Sequence, residues 1–382
     1  MNDRKLFTTQ NIMILGILAI AIIYALIIKP NYYVFNGKKL YLELLKAESF
    51  VGKDSYEIIS KKNALYYCGK NGFRKTDNKG NNIWDKAYYI DNPKLIVAGD
   101  YMAVVDIGGT LAYTFDDEGL RVSAKAVSPI VMADLSKEGA LLIVQEKEAG
   151  HLIQIFDKNG VLKVERGTII KTDGYPVGVS LSDSGNRLAT SYLSVEGGVV
   201  KTSLTIFGFG KEESKKAENI LGAFIIDNEI VPEIKFLDEK ALAAIGEKSI
   251  SFYEIKEKPI LRNRVELKNK INNLEFFGEK IIVQYGEMLK AEKENFKDYI
   301  EIFSKDGKKI ESYKGPEKVK DIIADGNNYF LITPKTICYQ RDNKKIWETE
   351  INKEAKGIIR LKGGKYIITF ENGYEIFKIK DI

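Results

Sequence analysis

Histidine is nearly missing from this chain. There is one, His151, in 382 residues, and there are only two cysteines, Cys68 and Cys338. A zinc site, a Ser-His-Asp triad or an imidazole base would each have to use that single histidine. No G-x-S-x-G surrounds any serine, and His151 stands at the start of a strand, so it reads as a surface or loop-edge residue. The cysteines form no C-x-x-C and sit in apolar alternating runs, which points to two buried free thiols. Arginine is scarce, lysine carries most of the positive charge, and the net +5 is spread along the chain. Nucleic-acid binders concentrate basic residues with stacking aromatics. Without such a block the charge reads as solvated surface, and no nucleic-acid partner is expected. The "FGFG" at Phe207–Gly210 lacks the third glycine and the helix of a dinucleotide loop. Alanine is too sparse for a helix bundle, whereas Tyr, Phe, Ile and Val are plentiful and favour strands.

Charge is absent altogether from Ile12 to Ile28. As a helix this stretch spans about 25 Å, close to a ~30 Å hydrocarbon core. Leu6, Phe7 and a snorkelling Lys29 extend it. It is longer than a cleavable apolar region and no small-x-small pair follows, so it reads as an uncleaved signal anchor. The expected organisation is a cytoplasmic tail (1–10), a transmembrane helix (11–29) in contact with membrane lipid, and an extracytoplasmic domain (33–382) on a single-pass membrane protein. Flanking charge alone does not set the orientation.

Past this stretch a unit recurs. Alternating run, tight turn and alternating run appear in "VSLSDSGNRLATSYLS" (179–194) and in seven further places. The turns fall near Asn63, Gly99, Gly139, Gly185, Asp238, Gly278, Gly326 and Gly363. Between these hairpins comes a second pair of strands, often joined by D-x-x-G or D-G, which tolerates the positive φ of tight turns. Pro93, Pro129, Pro176, Pro232 and Pro316 stand just before successive hairpins, where a loop enters a strand. Four strands in about 40 residues is the unit of a β-propeller blade. A pair of β-sandwiches would not keep this constant phase. The expected fold is all-β, an eight-bladed propeller with seven blades as the alternative. "KKLYLELLK" is expected as the inner strand of blade 1 and "YEIFKIKDI" as the outer strand of blade 8.

Two stretches, "TDNKGNNIWDKAYYI" and "QRDNKKIWETEIN", resemble the turn-and-tryptophan repeat of quinoprotein-like (PQQ-like, BamB-type) propellers. The resemblance implies that Trp84 and Trp347 dock one blade on the next. "LSDSGNRLA" is similar to the turn of TolB- and WD40-type blades. Signal anchor and degenerate propeller together resemble an uncharacterised family of membrane-anchored bacterial propellers. No lipobox cysteine is present, and the vicinal cysteines and acidic metal ligands of quinoprotein dehydrogenases are missing, so no cofactor is expected.

Asp77, Asp116, Asp157, Asp306 and Asp342 recur at equivalent turns, which makes them turn formers rather than calcium ligands. What remains is surface. "LSVEGGVVKTS" and "YGEMLKAEKENFKDY" are expected to link third and fourth strands, and "DGYPVGV" and "AFIIDNEIVPE" first and second strands, all on one face. A protein partner at the cell envelope is expected there, through Tyr175, Phe224, Ile225, Ile226 and Phe296. The function expected is a non-enzymatic binding or assembly scaffold. The alternative is a lyase, lactonase or glycosidase with carboxylates converging on the channel.

Overall fold

A computed structural model describes residues 33–381 apart from 36–37, 50–55, 63, 78, 211–212, 214–216, 268, 289–298, 317 and 342–343. Seven four-stranded antiparallel sheets and one five-stranded sheet follow one another. From inner to outer strand, blades 1 to 7 occupy 57–87, 93–125, 130–169, 175–227, 233–266, 269–314 and 321–350. The inner strands of neighbouring blades lie side by side, including Glu57–Lys61 of blade 1 against Gly357–Leu361 of blade 8, which closes the ring. The fold is an eight-bladed β-propeller. All eight first hairpins turn at the positions read from the sequence.

One blade cannot hide both of its faces, and the ring solves this. The described residues contain eight apolar clusters, one in each seam between adjacent blades. Second strands are therefore apolar on both sides: every residue of Ala64–Gly69 and of Ala241–Ile245 is buried. Outer strands keep alternation, as in Asn82–Ala87, because only one side meets a neighbour closely. First turns also pack on one another. A Cβ on Gly99, whose φ is +51°, would stand 2.6 Å from the Lys137 carbonyl of the next blade. Only glycine fits both the conformation and the space.

The ends of the chain depart from the expectation. "KKLYLELLK" is not the inner strand of blade 1. It belongs to Lys38–Ser49, which pairs with Gly373–Asp381 and forms the fourth strand of blade 8 outside Gly357–Leu361, Lys365–Phe370 and Gly373–Asp381. "YEIFKIKDI" is consequently a third strand and not an outer one. Strand edges carry unpaired backbone donors and acceptors. Completing the last sheet with the first strand removes that edge and locks the ring. Tyr33–Phe35 adds a short fifth strand outside it. The expected tail and anchor (1–29) lie outside the described residues. Among the described residues no helix is long and apolar enough to cross a membrane.

Candidate binding face and channel

Antiparallel strands put second-to-third connections and blade-to-blade connections on one face, and the tight first-to-second and third-to-fourth turns on the other. "LSVEGGVVKTS" joins the second and third strands of blade 4, Arg187–Glu196 and Val199–Gly208. "YGEMLKAEKENFKDY" does the same in blade 6. "DGYPVGV" and "AFIIDNEIVPE" lead from one blade into the next. The expected strand numbers are thus corrected, because each unit ends in a tight turn and a fourth strand. All four connections nevertheless share the loop face.

The five anchor candidates separate. Tyr175 (42% exposed) and Ile225 (61%) reach solvent near this face. Ile226 is buried, and Phe224 packs on Tyr253 of blade 5 with ring centroids 4.6 Å apart. Both belong to the blade 4/5 seam. Phe296 lies outside the described residues. Sequence reasoning missed Ile169, Ile170 and Val195, which are exposed on blades 3 and 4 close to Tyr175. Val195 ends a hairpin that runs three residue pairs beyond the Tyr175–Leu193 row. That length, visible as "YLSVEGGVVKTS", was the available signal.

His151 is 1% exposed and not a surface residue. It pairs across the sheet with Glu146 and Thr168, so its ring points into the blade 3/4 seam. Tyr175 covers it edge-on at 4.8 Å. Neither ring nitrogen has a hydrogen-bond partner among the described residues. Burial holds its pKa below the ordinary histidine value, and Glu146 opposes that shift.

Along the axis, a cavity of about 1250 Å³ is bounded by the inner strands of blades 1, 2, 6, 7 and 8. Glu57, Glu275 and Asp321 line it, as do Lys61, Lys356 and Arg360. The surrounding protein raises the pKa of Glu57 and Asp321, and burial with the nearby Asp321 charge pushes Glu275 up to about 7. A second cavity of about 380 Å³ lies between the inner strands of blades 2 to 5. There the buried Asp134 accepts the Leu181 amide at 2.8 Å and lies 3.3 Å from the Lys235 ammonium, tying three blades together. A charge inside a run such as "NNLEFF" was the sequence signal for these groups.

Trp84 stacks on Phe115 of blade 2, centroids 5.8 Å apart and rings 4° from parallel, and its Nε1 donates to the Asp117 carbonyl at 3.2 Å. Trp347 packs edge-on against Tyr366 of blade 8 at 5.2 Å, and its buried Nε1 has no partner among the described residues. The recurring aspartates cap turns: Asp77 accepts the amides of Lys79 and Asn81, and Asp157 those of Asn159 and Val161. Cys68 and Cys338 are free, buried thiols in different blades, each pushed up to about 12 by burial.

With the ring and its seams in view, the class is an eight-bladed β-propeller, and the comparisons agree. The model of a family described as "Family of unknown function (DUF5711)" matches residues 42–379, and the chain belongs to that family. No curated protein matches the sequence. The crystal structure of BamB from Moraxella catarrhalis is similar, at 10% identity and TM-score 0.51, over 88% of this chain and 97% of that one. A crystal structure of the eukaryotic initiation factor has 11% identity and TM-score 0.52, over 89% of this chain and 88% of that one. The Neurospora crassa Pan2 WD40 domain has 10% identity and TM-score 0.47, over 75% and 88%. Identities this low establish the fold alone.

Proposed function

We propose that this protein is a membrane-anchored, extracytoplasmic propeller serving as a non-enzymatic protein-binding or assembly scaffold of the cell envelope. The observation that carries the reading is the uneven distribution of exposed apolar side chains. On the opposite side of the ring, exposed residues such as Ile83, Leu120 and Ile310 recur near the start of the outer strand and belong to the repeat. On the loop face Tyr89, Val127 and Tyr299 stand singly on blades 1, 2 and 6, whereas Ile169, Ile170, Tyr175, Val195 and Ile225 gather on blades 3 and 4. Aromatic and aliphatic side chains held by a rigid ring lose little entropy on docking. Photo-crosslinkers at 175 and 195 in the full chain should trap the same protein partner from membranes, and a crosslinker at 362 on the turn face should not. Equal yields from the two faces would sink the reading.

A second reading is favoured by one observation. Three carboxylates of raised pKa share a cavity with three cations, as an acid–base enzyme of the lyase or glycosidase kind requires. Glu275→Gln separates channel chemistry from a structural role. Raised above its unfolded value, the Glu275 carboxyl stabilises the fold below about pH 4.5, and that contribution is lost as pH rises through about 7. In a scaffold the substitution therefore stabilises at pH 8 by roughly 1 kcal/mol, reduced by channel water, and leaves partner crosslinking intact.

A further inference from the structure

We infer that the turn face of blades 7 and 8 rests on an anionic lipid surface; this depends on the anchored reading above. Arg341 and Lys344 are direct cross-strand neighbours in blade 7, and Lys365 and Lys378 are direct cross-strand neighbours in blade 8. Like charges directly opposite one another destabilise a sheet, so the fold gains nothing from either pair, although the register also sets Glu43 opposite Lys378 on its other side. Lys345 and Lys362 stand at the same end. Among the described residues, Lys345 pairs with Glu348 at 2.8 Å, while Arg341, Lys344, Lys362, Lys365 and Lys378 are in no ion pair. The backbone register sets Lys38 at this end too, because Leu40 pairs with Asp381.

The chain enters the fold beside these two blades. Tyr33–Phe35 runs beside Lys38–Leu40 and against the outer strand of blade 7, Lys344–Glu350. From Lys29 to Tyr33 an extended chain covers at most about 14 Å. Phe35 pairs with Lys38 and Tyr33 with Leu40, so Tyr33 lies two residues from the basic end. If 11–29 spans a bilayer, the link from Lys29 is long enough to bend back and let that end meet the headgroups, where each added lysine contributes attraction to anionic lipid. Blade 4 lies diametrically across the ring and its Tyr175–Val195 face points the other way, leaving it open to a partner.

The test uses the full chain in vesicles of phosphatidylcholine, with and without phosphatidylglycerol. Lys362→Cys carries a fluorescent donor, Val195→Cys is the control, and Cys68 and Cys338 are buried. Flotation with both vesicles is expected. Energy transfer from 362 to a headgroup acceptor should be several-fold stronger with phosphatidylglycerol, and transfer from 195 should be weak throughout. Lys344→Glu with Lys365→Glu turns both like-charged pairs into opposite ones, so this variant folds, and its transfer should fall to the neutral-vesicle level. Equal transfer from 362 in both vesicles, or transfer indifferent to charge reversal, overturns the inference. So does displacement by substoichiometric duplex DNA, which would reassign the patch to a soluble polyanion. Flotation with neither vesicle overturns the anchor and the inference together. Flotation only with phosphatidylglycerol supports the patch and overturns the anchor.

Discussion

The seam between blades 1 and 2 and the seam between blades 3 and 4 bury comparable apolar layers, yet they treat polar groups in opposite ways. In the first, Tyr66, Lys75 and Trp84 of blade 1 all donate to Asp117 of blade 2. The Tyr66 hydroxyl is 2.7 Å and the Lys75 ammonium 2.6 Å from its carboxylate, and Trp84 Nε1 is 3.2 Å from its carbonyl. The Lys75 bond foremost, and then that of Tyr66, hold the Asp117 carboxyl below the usual carboxylate range. In the second seam the imidazole of His151 is enclosed with no hydrogen-bond partner among the described residues. A satisfied polar cluster fixes how two blades meet, whereas an unsatisfied one makes the contact conditional on protonation.

The largest break in this comparison should come from Trp84→Ala. It removes the ring that stacks on Phe115 and should cost about 3–5 kcal/mol, read as a lower midpoint in urea. Asp117→Ala should cost less, about 1–3 kcal/mol, because it strips Lys75, itself 7% exposed, of its carboxylate partner. The sign of its pH dependence is opposite to that of Glu275. A depressed carboxyl stabilises above its unfolded pKa and loses that contribution as pH falls through the folded value. The acid limb of the stability curve should therefore be shallower in Asp117→Ala. An unchanged acid limb would show that the bonds seen at this seam do not depend on ionised Asp117.

His151→Phe sharpens the other side. With its folded pKa below the ordinary value of 6.5, the histidine makes no titration contribution at neutral pH. It costs stability as pH falls below 6.5, because the unfolded chain then binds a proton that the folded seam refuses. The phenylalanine variant should match wild type near pH 8 and exceed it at pH 5 in chemical denaturation. Amide exchange at 147–151 and 168–175 should quicken in acid in wild type only. The smallest effect is expected from Trp347→Phe. The Nε1 it deletes has no partner among the described residues, so the cost should stay near 1 kcal/mol, below that of Trp84→Phe, which also forfeits a hydrogen bond. Trp347 lies in the blade 7/8 seam, and equal losses at the two tryptophans would show that a satisfied indole fixes a seam no better than an unsatisfied one.

Much of the ring was legible because each blade repeats one local pattern. The turns at Gly99, Gly139 and Gly185 depend on residues at φ +51°, +89° and +72°, and such turns announce themselves as "GD", "EG" and "SG". Tyr175 and Ile225 were found from loop length. Ile226 and Phe224 were misread as surface because strand parity decides which neighbour faces a seam: along Ile220–Asp227 these two face blade 5, and Ile225 between them faces away. His151 was misplaced for a related reason. It starts its strand next to a loop, and Tyr175, carried in from the next blade, covers it.

Local physics in the chain alone determined the strand alternation, the turn chemistry, the period of about 40 residues and the uncharged stretch from Ile12 to Ile28, because each depends on residues a few positions apart. Tertiary structure alone decided how the ring closes. Pairing Lys38–Ser49 with Gly373–Asp381 satisfies an edge that no local pattern reveals. It also brings the amino-terminal lysines beside basic residues more than 300 positions away, turning a charge that looks dispersed in sequence into one face. Coulomb interactions depend on distance in space, and only the closed ring sets that distance.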